Sequence, residues 1–207
     1  MLTVWAVWYG PKYPEHYVRR LRNMVRRNLL MPHEFRVLTD QPLAGISTVS
    51  PPCAWPGWWQ KLGLFAPGVA QGRNLYLDLD SVILAPLDPL VMRHADDALA
   101  MPRNWAQSGH DSCQSSVMLW QGGAFPELFT GFDAQRDQPR LWGDQEWITE
   151  RLGKPGEGVV TPIAHPFVCS YKYHCRDGPP TGAVVATFHG EPKPANVEDA
   201  WVKSHWW

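Results

Sequence analysis

Leu2 to Tyr9 reads Leu-Thr-Val-Trp-Ala-Val-Trp-Tyr with no charged residue and closes on Gly10-Pro11. A short run of apolar, β-branched and aromatic residues ended by a breaker predicts a buried strand. From Pro14 the period lengthens. Tyr17, Val18, Leu21, Met24, Val25 and Leu29 recur at helical spacing while Arg19, Arg20, Arg22, Arg26 and Arg27 fill the positions between them, so an amphipathic helix with a basic face is predicted. Glu34 to Thr39 predicts a second strand, and Gly45 to Val49 a third. Strand, helix, strand is a parallel crossover and predicts an α/β sheet, whose ligands gather beyond the carboxyl ends of the strands, where Tyr9, Gly10 and Asp40 fall.

After a loop at Pro51–Pro56, Trp58 to Phe65 predicts a helix carrying Lys61. Asn74 to Leu84 then drives two carboxylates into an apolar strand pattern. In an extended chain Tyr76, Asp78 and Asp80 share one face and Leu75, Leu77 and Leu79 the other. Two carboxylates on one face suit a hard divalent ion of the kind that accompanies phosphate, Mg²⁺ or Mn²⁺. Acidic residues also end strands and open turns, so the pair has a plain structural reading too. Pro86–Leu90 reads as a turn and Ala98–Met101 as a short strand, followed by a polar loop from Arg103 to Ser112 that holds Trp105, His110 and Asp111. Ser115–Trp120 predicts a strand, Phe125–Phe132 a helix broken at Asp137–Arg140, and Gly143–Leu152 a helix with Asp144 as its N-cap. Val159–Ile163 and Ala183–Phe188 predict strands, the latter ending in His189-Gly190-Glu191-Pro192-Lys193-Pro194, and Val197–Trp207 a closing helical turn.

No repeat or linker interrupts the 207 residues, so residues 1–207 are expected to form a single α/β domain with a mixed, mostly parallel central sheet flanked by helices. A formal net charge of −1 gives no bulk electrostatic reason to expect nucleic acid as a partner. The basic face of the first helix suits a solvated surface, or contact with an acidic partner or membrane surface. Twelve tryptophans suit both core packing and sugar recognition. Cys53, Cys113, Cys169 and Cys175 lack paired C-x-x-C spacing; although His165 and His174 lie near the last two, reduced thiols are expected rather than zinc. Met1 leads directly into the first strand pattern with no basic leader, and no apolar run is long enough to span a bilayer, so a cytoplasmic protein with no transmembrane segment is expected.

The chemistry converges on three sets: Asp78 with Asp80, Asp144 with Gln145, and His189 with Gly190 and Lys193. An imidazole completes a Mn²⁺ shell begun by two carboxylates, Gly190 admits a phosphate close to the backbone, and Lys193 adds positive charge. Leu75-Tyr76-Leu77-Asp78-Leu79-Asp80, Ser115-Ser116-Val117-Met118-Leu119, Asp144-Gln145-Glu146-Trp147 and His189-Gly190-x-x-Lys193-Pro194 come in the order of the motifs of the GT-A glycosyltransferases. The chain resembles in particular the retaining family that includes glycogenin and bacterial lipopolysaccharide galactosyltransferases.

The resemblance implies a Rossmann-like GT-A fold and a hexosyltransferase that uses a nucleotide-sugar, UDP-sugar favoured, with Mn²⁺ or Mg²⁺. It implies Asp78, Asp80 and His189 as metal ligands and Lys61, Asp78, Gly190 and Lys193 as donor contacts, with Asp144 and Gln145 at the reacting sugar. Tyr9 and Asp40 are expected in nucleotide binding, and the acceptor is a carbohydrate, glycolipid or protein. Retention rests on the resemblance; an inverting enzyme would need a base, for which Asp111 and Asp144 are the candidates. Trp58, Trp105 and Trp142 are candidate acceptor platforms. The chain departs from the family at Gln114, where asparagine is usual, and in having glycine directly after His189. Two rival readings remain: a Trp-rich carbohydrate-binding or scaffold protein on a decayed enzyme fold, and a sugar-phosphate nucleotidyltransferase, whose glycine-rich loop after the first strand Gly10-Pro11-Lys12-Tyr13 does not supply.

Overall fold

The computed structural model describes residues 1–105 and 112–207. Its first strand, β1 (Leu2–Trp8), is buried along nearly its whole length. The alternation of a strand divides it between two cores: Leu2, Val4, Ala6 and Trp8 pack into one cluster and Trp5 into the other. The same division recurs in β4 (Arg73–Leu77), where Leu75 and Leu77 face one core and Tyr76 the other, and in β7 (Val117–Gln121). A sheet covered on both faces needs near-continuous apolar strands, as the sequence supplies. The helix His16–Asn28 covers one face with Tyr17, Val18, Leu21, Met24 and Val25. The 3-10 helix Gly57–Phe65 and the helix Asp144–Leu152, through Trp147, cover the other.

With β2 (His33–Thr39), β3 (Ser47–Val49), β6 (Leu99–Pro102) and β8 (Val160–Ile163), the main sheet has seven strands in the order β3-β2-β1-β4-β7-β6-β8, while β5 (Ser81–Ile83) lies outside it. β7 pairs antiparallel with both β4 and β6, and every other pairing in this sheet is parallel, so β7 alone opposes the common direction. The mixed, mostly parallel sheet expected from the crossover pattern is present.

The predicted strand from Asn74 to Leu84 is two strands. β4 stops at Leu77, a turn closed by the Ser81 N–H donating to the Asp78 carbonyl (3.0 Å) follows, and β5 enters a second sheet. Carboxylates do not stay in a strand buried on both faces; they fall in the turn, where cations reach them. That second sheet runs β5-β10-β9, with β9 at Val168–Ser170 and β10 at Val185–Thr187. Pro86–Leu90, read as a turn, opens the helix Asp88–Arg93, and the Asp88 carboxylate accepts the Leu30 and Met31 N–H groups. Phe125–Phe132 holds only the short helix Glu127–Thr130, followed by Ala134–Asp137. The tail forms the helix Ala200–His205, after which Trp206 packs edge-on against Tyr17 with ring centroids 4.9 Å apart. Among the described residues no helix is long and apolar enough to cross a membrane.

Candidate active site

A cavity of about 580 Å³ opens where β1 and β4 end and β7 begins, and the end of β10 reaches it from the second sheet. Because β7 runs against its neighbours, the residues before it, Gln114 and Ser115, lie at the same edge as those after β1 and β4. Tyr9, Asp78, Asp80, His189, Gly190 and Lys193 line the cavity, together with Lys61 and with Asp144 and Gln145 from the next helix.

Two lysine–aspartate pairs dominate its electrostatics. Lys61 lies on the 3-10 helix Gly57–Phe65, which the Gln60 side chain anchors by donating to the Cys53 and Trp55 carbonyls (2.9 and 2.6 Å). Lys61 Nζ sits 3.0 Å from Asp78 Oδ1 and 3.8 Å from Asp144 Oδ2, and donates to Ser115 Oγ at 3.1 Å. Burial works to strip its proton, but Asp144 and Asp78 outweigh burial and raise the ammonium pKa above its ordinary value. The Tyr76 hydroxyl donates to the same Asp78 oxygen at 2.5 Å. Asp80 is built the same way: its Oδ2 accepts from Lys193 Nζ at 2.6 Å and from the Tyr13 hydroxyl at 2.7 Å. Burial and then the charge of Asp78 push the Asp80 carboxyl up, and Lys193 opposes them. Each carboxylate is paired with its own ammonium.

Asp144 is buried at the first turn of the helix Asp144–Leu152, but the cap position belongs to Gly143. Gly143 is extended, and a side chain there would press on the Trp58 indole, whose Nε1 lies 3.2 Å from where the Cβ would stand. Burial raises the Asp144 carboxyl, with Lys61 and the Ser115 hydroxyl opposing, and its Oδ2 has no hydrogen-bond partner among the described residues. Such an acceptor is costly to bury and suits a hydroxyl brought by a ligand.

Burial, with Lys172 and Lys193 nearby, lowers the His189 imidazole to a pKa of about 4, so it is neutral near pH 7. Its Nε2 accepts the Trp105 Nε1–H (3.3 Å) and lies 2.7 Å from Ser170 Oγ, while the Tyr173 ring stacks on it at 5.5 Å. Gly190 follows with φ of 68°, a conformation that favours glycine, and a Cβ there would lie 3.1 Å from Lys172 Nζ.

The expected metal shell is not gathered. Among the described residues no three of His, Cys, Asp and Glu could hold an ion between them, and the Nε2 of His189 is engaged by Trp105 and Ser170. Asp78 and Asp80 do fit a hard cation: both line one cavity, each raises the need for positive charge, and ammonium groups stand in for it at 3.0 and 2.6 Å. Mg²⁺-like ions keep several waters and take one or two carboxylates plus substrate phosphates rather than a full protein cage.

Asp40 lies exposed at the end of β2, outside the cavity lining. Asp111 and His110 fall outside the described residues. Lys12 and Tyr13, which the sequence did not single out, line the cavity, with Lys12 Nζ 5.7 Å from the Trp58 ring. Burial and Lys193 lower the Lys12 pKa. Their position just beyond β1 was the available signal. Trp58 and Trp142 stand exposed at the cavity, whereas Trp5, Trp120 and Trp147 are core. The four cysteines are free, with the Cys169 and Cys175 sulfurs 3.8 Å apart.

No protein-family model and no curated protein sequence matches the chain. Solved structures do. LgtC, a galactosyltransferase in complex with donor and acceptor sugar analogues, is 17% identical over 94% of this chain and 89% of its own, with a TM-score of 0.65. An active-site Gln→Glu mutant of LgtC is 16% identical and gives 0.66 over 99% of this chain and 93% of its own. GlyE, a glycosyltransferase of Streptococcus pneumoniae, is 12% identical with a TM-score of 0.63, and the 94% of this chain that aligns spans only 56% of GlyE. At such identities the likeness establishes the fold, which is that of the GT-A glycosyltransferases, as the resemblance implied.

Proposed function

We propose that this chain, sharing its fold with glycosyltransferases, transfers a sugar with retention from a nucleotide-sugar, UDP-sugar favoured, to a carbohydrate, glycolipid or protein acceptor. The observation that carries the reading is the pair of aspartates after β4, each held by a lysine in one cavity of about 580 Å³, at the edge where α/β sheets bind ligands. The cavity has the size of a small-molecule site.

Breaking the bond between the anomeric carbon and phosphate places negative charge on the departing diphosphate. Lys193 and Lys12 carry the positive charge that receives it, and the backbone at Gly190 lets phosphate oxygens approach closely. A Mn²⁺ or Mg²⁺ ion held by Asp78 and Asp80 would add Lewis-acid stabilisation of the leaving group. Asp144, with an unpartnered oxygen, accepts a donor-sugar hydroxyl, and Gln145 beside it offers an amide oxygen to the positive charge that develops at the anomeric carbon. The LgtC mutant named above changes a glutamine in that enzyme's active site. Lys61, 3.0 Å from Asp78 and 3.8 Å from Asp144, holds the two acids in place.

Incubating the protein with a panel of UDP- and GDP-sugars and Mn²⁺ should release nucleoside diphosphate from at least one UDP-sugar, and chelation should stop it. No release from any of them, with water or simple sugars as acceptor, would count against a transferase.

A further inference from the structure

Asp78 and Asp80 have matching partners, a lysine and a tyrosine each, but the two lysines are held differently. Lys61 is fixed from several sides: Asp78 at 3.0 Å, Ser115 Oγ at 3.1 Å, Asp144 at 3.8 Å and the Tyr76 ring at 5.4 Å. Lys193 Nζ has Asp80 Oδ2 at 2.6 Å and the Tyr13 ring at 5.4 Å. Lys193 is carried by the loop after β10, between Gly190, which is exposed, and the short 3-10 turn Pro194–Asn196.

With the Lys193 ammonium on Oδ2, a divalent ion on either oxygen of the same buried carboxylate would bring two like charges together, so the two compete for Asp80. A buried aspartate left bare is also costly, so some cation must hold Asp80 at every stage. Resting on the metal and diphosphate reading above, we infer that Lys193 competes with the divalent ion for Asp80 and yields it only when a nucleoside diphosphate enters. The ion alone would drive the Lys193 ammonium into the cavity with no counter-charge. A diphosphate supplies that counter-charge, so the ammonium passes from carboxylate to phosphate as the ion takes Asp80. Metal and nucleotide therefore bind weakly alone and tightly together, and the coupling is reciprocal. Lys12 lines the same cavity and carries the same charge, but no Asp80 or Asp78 oxygen pairs with it at hydrogen-bond distance among the described residues.

The test is Mn²⁺ binding to the full chain without nucleotide, followed by the paramagnetic signal of free Mn²⁺. If Lys193 leaves Asp80 in roughly one molecule in ten, the apparent metal affinity is reduced about tenfold, and Lys193→Met restores it. Lys12→Met removes the same charge and should change Mn²⁺ affinity by less than about twofold, which separates the ion pair from net charge. Lys193→Arg keeps the charge and guards against a variant that fails to fold; its fork grips the carboxylate more firmly, so Mn²⁺ should bind about threefold more weakly than to wild type. Unchanged Mn²⁺ affinity in a folded Lys193→Met, or unchanged or tighter binding in Lys193→Arg, overturns the inference alone. Wild-type protein that takes up no Mn²⁺ even with UDP present overturns the metal reading and the inference with it.

Discussion

Lys61 shows how a single side chain can hold two acids together in a site. Its ammonium stands between Asp78 and Asp144, both at least partly removed from water, and removing it strands two carboxylates. Lys61→Met should lower unfolding stability by about 3–5 kcal/mol, the usual result of breaking a buried ion pair from one side. A loss below about 1 kcal/mol in urea unfolding would show the two acids to be solvated instead. The sequence marked Asp78, Asp80, Lys61, Asp144 and Lys193 because charge in an apolar run demands a reason. It did not mark Lys12, since Gly10-Pro11-Lys12-Tyr13 was read only for the glycine-rich loop it lacks. It placed Asp40 at a carboxyl end, but β2 lies a strand further from the cavity and Asp40, the residue after it, stays in solvent.

Elements were legible wherever their period ran for more than a turn. β1, the first helix, β2 and the helix from Asp144 stand where hydrophobic spacing put them, give or take a residue or two. Of the three-residue strands, β3 and β10 fall inside the predicted Gly45–Val49 and Ala183–Phe188, whereas β9 is too short to show an alternation and β5 hid inside what looked like an extension of β4. Trp147 ties the helix Asp144–Leu152 to the core, fully buried and donating its Nε1–H to the Leu128 carbonyl at 2.9 Å. Trp147→Ala should cost about 3–5 kcal/mol in chemical unfolding, and a cost under about 1 kcal/mol would show that this helix is not anchored there.

The helix Ala134–Asp137 ends on a buried acid that accepts from Arg136 at 2.7 Å, Arg140 at 2.8 Å and the Asp133 N–H at 2.9 Å. Arg136, the largest influence, holds the Asp137 carboxyl far below the usual carboxylate range. A depressed folded pKa contributes stability that is present above the unfolded value, about 4, and is lost as pH falls below it. Thermal unfolding of Asp137→Asn between about pH 6 and 2 should show a shallower acid decline than wild type; parallel curves would remove Asp137 from the account.

For the molecule as a whole, the cavity matters because it joins the two sheets. Asp78 and Ser115 belong to the edge of the main sheet, while His189, Gly190 and Lys193 arrive from the second, and a ligand lying between them should stabilise both together. At about a hundred times its dissociation constant, UDP with Mn²⁺ should add about 2.7 kcal/mol, raising the unfolding temperature by roughly 5–10 °C in one cooperative step. The main sheet could be foreseen from its strand-helix-strand order; the second could not, since β9 showed no strand pattern and β5 read as part of β4. The most direct measurement is calorimetric titration of UDP, and of GDP, with Mn²⁺ or with chelator, into wild type, Asp78→Asn and Asp80→Asn. The account predicts that Mn²⁺ strengthens wild-type binding at least about tenfold and that both variants, folded as before, lose that gain. Equal, metal-insensitive affinity in all three proteins would contradict it.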